Sequence, residues 1–288
     1  VFAGIVSTGA DRILIMPDHS GLTRPGSGDV DGQIKIEYVD MPVADHQGAS
    51  TNAAKAMAEQ GVGAIVTLGG DGTNRVVAKG AGEVPIVPIS TGTNNVFPAN
   101  TEGTLAGIAA GSVSTGLLTV NEACRRSKRI DIYVDGNRQD DALVDAAVST
   151  QMFVGARAVW DTNTLHSMFL TRAEPASIGL SSIGSRLKPV AIDDEHGLYM
   201  RFDGEPTENA TTVRAPIAPG SVVDVEISDW RLITAGEKIP IELTPGTIAL
   251  DGEREVELLP DSKIYAELAM NGPWVVDVQT ALTLIATS

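Results

Sequence analysis

Leu68-Gly69-Gly70-Asp71-Gly72-Thr73 follows a short apolar run, Ala64-Ile65-Val66-Thr67, and precedes Asn74-Arg75-Val76-Val77-Ala78-Lys79. The apolar run has the length of a buried parallel strand, and the residues after the glycines can start a helix. That order of strand, glycine turn and helix is the setting in which a glycine-rich loop carries meaning. Glycine lacks a Cβ and reaches positive φ, so backbone N–H groups can converge on an anion. The helix N-terminus behind the turn adds partial positive charge. A carboxylate in such a loop repels phosphate unless it holds a metal or accepts a proton from an attacking hydroxyl. Asp71 is therefore the candidate catalytic residue and the candidate metal ligand. Gly69, Gly70, Gly72 and Thr73 are the candidate phosphate-binding residues. The plainer alternative is a tight βα turn with an exposed Asp.

The next strand-like run, Val84-Pro85-Ile86-Val87-Pro88-Ile89, ends in Ser90-Thr91-Gly92-Thr93-Asn94-Asn95. Open α/β sheets bind ligands at the carboxyl ends of their strands. Two neighbouring loops rich in Gly, Thr and Asn at that edge can form one polar mouth. The amides of Asn94 and Asn95 can bond a ribose or a purine edge, and Thr93 can bond a phosphate. Thr91 and Gly92 complete the candidate nucleotide-binding set. The alternative is that both Asn residues satisfy the turn backbone.

Working outward, Val1 to Ala10 reads as the end of a helix, and Arg12 to Pro17 as a strand stopped by proline. Asp18 to Gly32 is a loop rich in Gly, Ser, Pro and Asp. Ile34 to Val39 alternates like a strand with one covered face. Ser50 or Thr51 can cap a helix that Gly61 ends. Thr104 to Ala110 is a further helix. Strands alternating with helices predict an α/β domain with a parallel sheet over residues 1–118.

The character changes near Gly116. Short β-runs follow at Ile130–Val134, Ala142–Thr150, Gly197–Phe202, Val222–Ile227, Ile239–Leu243 and Thr247–Leu250. Asp135-Gly136, Asp203-Gly204 and Asp251-Gly252 separate them as hairpin turns. One helical stretch, Ser177–Leu187, interrupts. These runs predict a β-rich sandwich domain over residues 119–270. A tail, 271–288, follows.

Composition narrows the class. The 288 residues are 43% hydrophobic, enough for a core, and 21 Lys and Arg against 37 Asp and Glu give a charge of −16. Such acidity disfavours nucleic-acid partners and anionic membrane surfaces. A single cysteine, Cys124, rules out an internal disulfide and fits a reducing cytosol. There is no 18-residue apolar run and no basic region before the apolar N-terminal residues. The expectation is a cytoplasmic protein. His19, His46, His166 and His196 lack zinc-ligand spacing. Neither a P-loop nor a Gly-x-Ser-x-Gly elbow is present. Arg157, Arg172, Arg186 and Lys188 are candidates for balancing phosphate charge.

Gly69-Gly70-Asp71-Gly72-Thr73 after a hydrophobic strand resembles the signature shared by ATP-NAD kinases, diacylglycerol kinases and sphingosine kinases. From about Asp11 onward the chain resembles the acetoin-catabolism protein X branch of the ATP-NAD kinase-like proteins. Thr91-Gly92-Thr93-Asn94-Asn95 resembles the Gly-Thr-x-Asn-Asp/Asn element of the lipid-kinase branch. Val144-Asp145 stands where NAD kinases carry an Asn-Glu pair: the acid is kept in shorter form and the Asn is gone. Ala176 to Gly184 stands where they carry Thr-Ala-Tyr before Ser-Ala-Gly-Gly. Ile178 replaces the aromatic and Ile183 the first Gly, which removes a stacking surface. Asp145, Ser177 and Ser181 remain as candidate acceptor-binding residues. Leu250-Asp251-Gly252-Glu253 resembles the Asp-Gly-Glu of both kinase branches, or is a hairpin turn. Asn121-Glu122 repeats the letters of the Asn-Glu pair by coincidence. Nothing before Arg12 matches the Asn-Pro-x-x-Gly-type turn with which the family usually opens.

The resemblance implies a Rossmann-like domain followed by a β-rich domain, with a site in the cleft between them and a tail, 271–288, that returns to pack on the first domain. It implies transfer of phosphate from ATP, with Mg²⁺, to a hydroxyl of NAD or a related nucleotide. It also implies self-association into a homo-oligomer. The alternatives are a lipid or small-alcohol kinase, and a nucleotide-binding regulatory protein without turnover.

Overall fold

The computed structural model describes residues 1–18, 21, 23, 26, 28, 30, 32–42, 47–151 and 162–287. Arg157, His19, His46 and much of the predicted 18–32 loop lie outside the described residues. The chain divides into two compact units: Val1–Thr93, Pro98–Arg126 and Pro273–Ser288 form the first, and Asn94–Phe97 with Ser127–Gly272 the second.

In the first unit, α1 (Phe2–Ser7) precedes β1 (Arg12–Ile15), which pairs in parallel with β2 (Lys35–Tyr38). Then come α2 (Gln47–Glu59), β3 (Ile65–Gly69), α3 (Asp71–Ala81), β4 (Ile86–Ser90) and α4 (Gly103–Ser114). α5 (Val120–Ala123) leads into β5 (Cys124–Arg126). The tail supplies β18 (Trp274–Val276) and α7 (Val278–Thr287). β3, β4 and β18 run parallel, and β5 closes the sheet antiparallel to β18. Val87 and Ile89 of the sheet bury against Ala106, Ala109 and Ala110 of α4 and Ala281 of α7. Trp274 Nε1 donates to Glu83 at 3.1 Å, and Arg126 grips the same carboxylate at 2.7 and 3.0 Å. The small residues of α4 are what bring helix and sheet close.

Two helix starts differ from expectation. α2 already runs from Gln47, so Ser50 and Thr51 lie inside it and cap nothing. Thr51 Oγ1 instead donates to the Val76 carbonyl of α3 at 2.7 Å. α4 begins at Gly103, where the Glu102 carboxylate accepts from the N–H groups of Thr104 and Leu105. Glu122 closes a capping box on α5 by accepting from Thr119 N–H at 2.9 Å, so Asn121-Glu122 has a local structural use.

α2 and α3 touch backbone to backbone. A Cβ on Gly80 would collide with the Thr51 carbonyl oxygen and stand 2.9 Å from Lys55 N. Alanine favours a helix over glycine by about 1 kcal/mol, but overpacking against an unyielding backbone costs about 1–3 kcal/mol or more. Gly80→Ala should therefore lower stability by about 2 kcal/mol in urea denaturation. An unchanged or raised midpoint would show that the helix spacing is loose.

The second unit is built from strands. β6 (Arg129–Val134), β7 (Asn137–Ala142), β14 (Lys238–Ile241) and β17 (Ile264–Ala269) form one antiparallel sheet, in the order β14-β17-β6-β7. β8 (Asp145–Ser149), β9 (Leu165–Leu170), β10 (His196–Arg201), β13 (Asp229–Thr234), β15 (Gly246–Leu250) and β16 (Glu253–Leu258) form the other, in the order β13-β10-β9-β8-β15-β16. β11 (Thr211–Ala218) and β12 (Ser221–Ile227) make a separate hairpin beside α6 (Ser181–Leu187). Strand side chains alternate between faces, and the larger sheet shows why so many runs read as continuously apolar. Ala146, Val148, Phe169, Ile248 and Leu250 fill the core shared with the smaller sheet. Ala147, Met168, Leu170 and Ala249 face the opposite way, into a second core with Ile183, Ala215 and Val225. The sandwich is thus covered on its far side as well.

Asp135-Gly136 and Asp251-Gly252 turn β6 into β7 and β15 into β16, with φ of +50° and +82° in the first and +51° and +80° in the second. These are the values of the mirror-image hairpin turn. Asp203-Gly204 differs: β10 pairs with β9 and β13, while β11 pairs with β12, so this turn leaves the sheet instead of closing a hairpin. Among the described residues no helix is long and apolar enough to cross a membrane.

Candidate functional site

β3 ends at Gly69, and α3 begins at Asp71. Gly70 is the N-cap, with φ −94° and ψ −167°, and no side-chain cap hydrogen bond is made there among the described residues. The first N–H groups of a helix have no partner within it, so the turn offers backbone donors and positive dipole at its start. The glycines serve this differently from expectation. Gly69, Gly70 and Gly72 are absent from the positive-φ positions. Gly69 is needed for close approach: a Cβ there would lie 2.6 Å from Thr73 Cβ and Oγ1. Asn74, fully buried, locks the turn. Its Nδ2 donates to the Gly70 carbonyl at 2.8 Å, and its Oδ1 accepts from Thr67 Oγ1 at 2.5 Å. Asp71 and Thr73 are half-buried, and Gly72 is buried. The structure therefore brings Gly69, Gly70, Asp71, Gly72 and Thr73 together at one strand-to-helix junction.

β4 lies next to β3, with Gly69 opposite Ser90. The two candidate loops thus leave adjacent strand ends. Ser90 N–H donates to the Ala99 carbonyl at 2.9 Å, and Ser90 Oγ donates to the Gly92 carbonyl at 3.0 Å, which pins the base of the second loop. Thr91, Gly92 and Thr93 are exposed, and Asn94 and Asn95 are half-buried. Phe97, four residues after Thr93, is 6% exposed.

In the second unit Asp145 opens β8 and is half-buried. Its backbone is held by a different acid. Asp251 Oδ2 accepts from Leu143 N–H at 2.9 Å, and Oδ1 accepts from Val144 and Asp145 N–H at 2.7 and 3.2 Å. Asp251 N–H returns a bond to the Asp145 carbonyl. The Asp-Gly turn is thus both a hairpin turn and an anchor for the strand that carries Asp145. Ser177 Oγ donates to the Glu174 carbonyl, and Ser182 Oγ to those of Gly179 and Pro216. Ser181 starts α6 at 2% exposure, and its hydroxyl makes no hydrogen bond among the described residues. Arg186 and Lys188 are exposed, and Arg172 is 3% exposed.

Lys128 is 1% exposed, and its ammonium donates to the carbonyls of Ala191, Asp194 and His196 at 2.8–2.9 Å. Burial pushes its pKa from 10.5 down to about 8; the Arg172 charge adds to this, and Asp194 and Asp193 oppose it. Between those two values the unfolded chain binds more protons than the folded one, so this group makes stability rise with pH. Below about 8 the penalty of the buried cation is fully present. Across the window the swing is up to about 3 kcal/mol. The thermal midpoint should climb more steeply from pH 8 to 10 in the wild type than in Lys128→Met. Equal slopes would contradict this.

The family model for the acetoin catabolism protein X C-terminal domain matches residues 128–271. An acetoin catabolism protein X from Cupriavidus necator is 40% identical over 279 residues, spanning 93% of this chain and 77% of its own length. The chain belongs to the acetoin catabolism protein X family. The ATP-NAD kinase N-terminal domain model matches residues 29–117, which include both candidate loops. Among solved structures, yeast NADH kinase complexed with NADH is similar with a TM-score of 0.49 at 13% identity, covering 98% of this chain and 82% of its own. A putative diacylglycerol kinase from Bacillus anthracis str. Sterne gives 0.48 at 14% identity, covering 92% and 96%.

In this family member, reading the sequence missed Asn74 and underused Asp251. Asn74 had a local signal, an amide one helical turn after Gly70. The partners of Asp251 lie more than a hundred residues away along the chain, where no local signal reaches.

Proposed function

We propose that this chain is an ATP-dependent phosphotransferase that moves a phosphoryl group to a hydroxyl of NAD or a related nucleotide. One observation carries the reading: among the described residues the N-terminus of α3 has no side-chain cap, and it sits directly behind Gly69-Gly70 and holds Asp71 in its first turn. Its leading N–H groups cradle phosphate oxygens, and the macrodipole favours the anion. Thr73 and Thr93 add hydroxyl donors. Thr91 and Gly92 shape the second loop, and Asn94 and Asn95 hold the nucleoside. Asp71 takes the proton of the attacking hydroxyl as its oxygen bonds to the γ-phosphorus and ADP leaves with the bridging oxygen. In this reading Asp145, Ser177 and Ser181 are the residues proposed to bind the acceptor.

Among the described residues no three His, Cys, Asp or Glu side chains form a metal cage. A carboxylate at Asp71 suits magnesium, which keeps several waters and is held by one or two carboxylates plus substrate phosphates. When bound, the ion would neutralise phosphate charge, and Asp71 would be its protein ligand.

A second reading keeps the chemistry and changes the acceptor to a lipid or small alcohol. Half-buried Ile178 supports it, because an aliphatic side chain there stacks no nucleotide ring. The 40% identical relative is named for acetoin catabolism, which supports a place for this phosphotransferase in that process. ADP release with ATP and Mg²⁺, measured against NAD, NADH and diacylglycerol, separates the readings. Release that depends on NAD or NADH is expected. Release only with diacylglycerol would move the acceptor, and tight nucleotide binding with no release would make the protein a sensor.

A further inference from the structure

The segment Asn94–Phe97 belongs to the second unit, although the residues on both sides of it, through Thr93 and from Pro98, belong to the first. One contact there joins it to the second unit's Arg172. The guanidinium carbon of Arg172 lies 5.2 Å from the centroid of the Phe97 ring, and both residues are buried, at 3% and 6% exposure. Arg172 Nη2 donates to Ser127 Oγ at 3.3 Å, and that hydroxyl donates to the Lys128 carbonyl at 3.0 Å. Arg172 Nη1 also stands 4.0 Å from Glu174. A planar guanidinium fixed in this way presents a flat face to a ring, which a flexible ammonium does not match. Burying a guanidinium is unfavourable without such partners, and a second buried cation, Lys128, lies near enough to feel its charge. A solvated surface arginine would avoid that repulsion.

We infer that Arg172 is the positioning residue of the nucleotide loop. Buried as it is, it acts through Phe97: seating the ring fixes the segment that carries Asn94 and Asn95. The inference rests on the proposed role of those two amides in holding the nucleoside.

Phe97→Leu keeps the apolar bulk and loses the ring face; Phe97→Tyr restores the face. Arg172→Lys keeps the charge and loses the plane, and it provides the same test should Phe97→Leu not fold. Two quantities are read on the full chain: hydrogen exchange of the 93–97 amides without ligand, and the Kd for ATP with Mg²⁺ by calorimetry. In Phe97→Leu and Arg172→Lys, exchange should speed up and Kd should rise about fivefold. Phe97→Tyr should return both to wild type. Unchanged exchange in the two disruptive variants would overturn the anchoring. Faster exchange with unchanged Kd would overturn the link to nucleotide binding. Faster exchange in a protein whose wild type binds no ATP would uphold the anchor and reject the proposed function instead.

Discussion

Asp71→Asn should abolish phosphoryl transfer while ATP still binds. The substitution preserves volume and the first turn of α3, where Asp71 stands behind the Gly70 N-cap. On the proposed mechanism it removes the basic oxygen that would receive the hydroxyl proton, a contribution of about 10²–10⁴-fold in rate. It also removes the carboxylate of the glycine turn, which in the proposed reading would hold magnesium. Together these give an expected fall in kcat of about 10³-fold or more. Helix stability should change little, since a carboxylate in the first turn contributes only about 0.3–1 kcal/mol. Nucleotide affinity should stay within a few-fold, or improve, because one negative charge near the phosphates is gone. ADP release and calorimetry on the same preparation check both halves. A variant as active as wild type would remove Asp71 from the mechanism.

Asp251→Ala should be the most destabilising of these single changes. The carboxylate accepts from three consecutive N–H groups at Leu143, Val144 and Asp145, and the residue is 7% exposed. Removing it leaves those donors buried, at about 1–3 kcal/mol for each group that finds no replacement. The residue also sits at φ +51°, a conformation that Asp tolerates better than Ala. An overall loss of about 4 kcal/mol is expected, since water entering the gap would recover part of the sum. Asp251→Asn keeps the turn preference and one acceptor oxygen, so about half that loss is expected. Urea denaturation with matched m-values measures both. If Asp251→Ala unfolds at the wild-type midpoint, the carboxylate does not anchor β8.

What was legible in the sequence was local. β3, the glycine turn and α3 lie within one short stretch, and each signals itself by pattern. The apolar runs of β8 and β15 were legible because both faces of the larger sheet are covered. β7, written Asn137-Arg138-Gln139-Asp140-Asp141-Ala142, was not, because it is an edge strand whose polar residues carry no apolar period. β16 also sits at an edge. The capping reading of Ser50 and Thr51 failed because a hydroxyl that suits an N-cap equally suits a bond to a neighbouring helix, as Thr51 makes to Val76. Asp203-Gly204 carried the letters of a hairpin turn, but strand pairing across 9 and 13 decides where β10 goes. Within the candidate site, Gly69 and Asp71 were legible. Asn74 was read only as helix, and Phe97 with Arg172 joins positions far apart in sequence.

Hydrogen exchange of the peptide spanning residues 68–75, with and without ATP and Mg²⁺, tests the grip on polyphosphate most directly. The amides of 70–73 should exchange several-fold more slowly when ATP is present, and this protection should survive in Asp71→Asn. ATP that binds while those amides exchange at their unliganded rate would contradict the account.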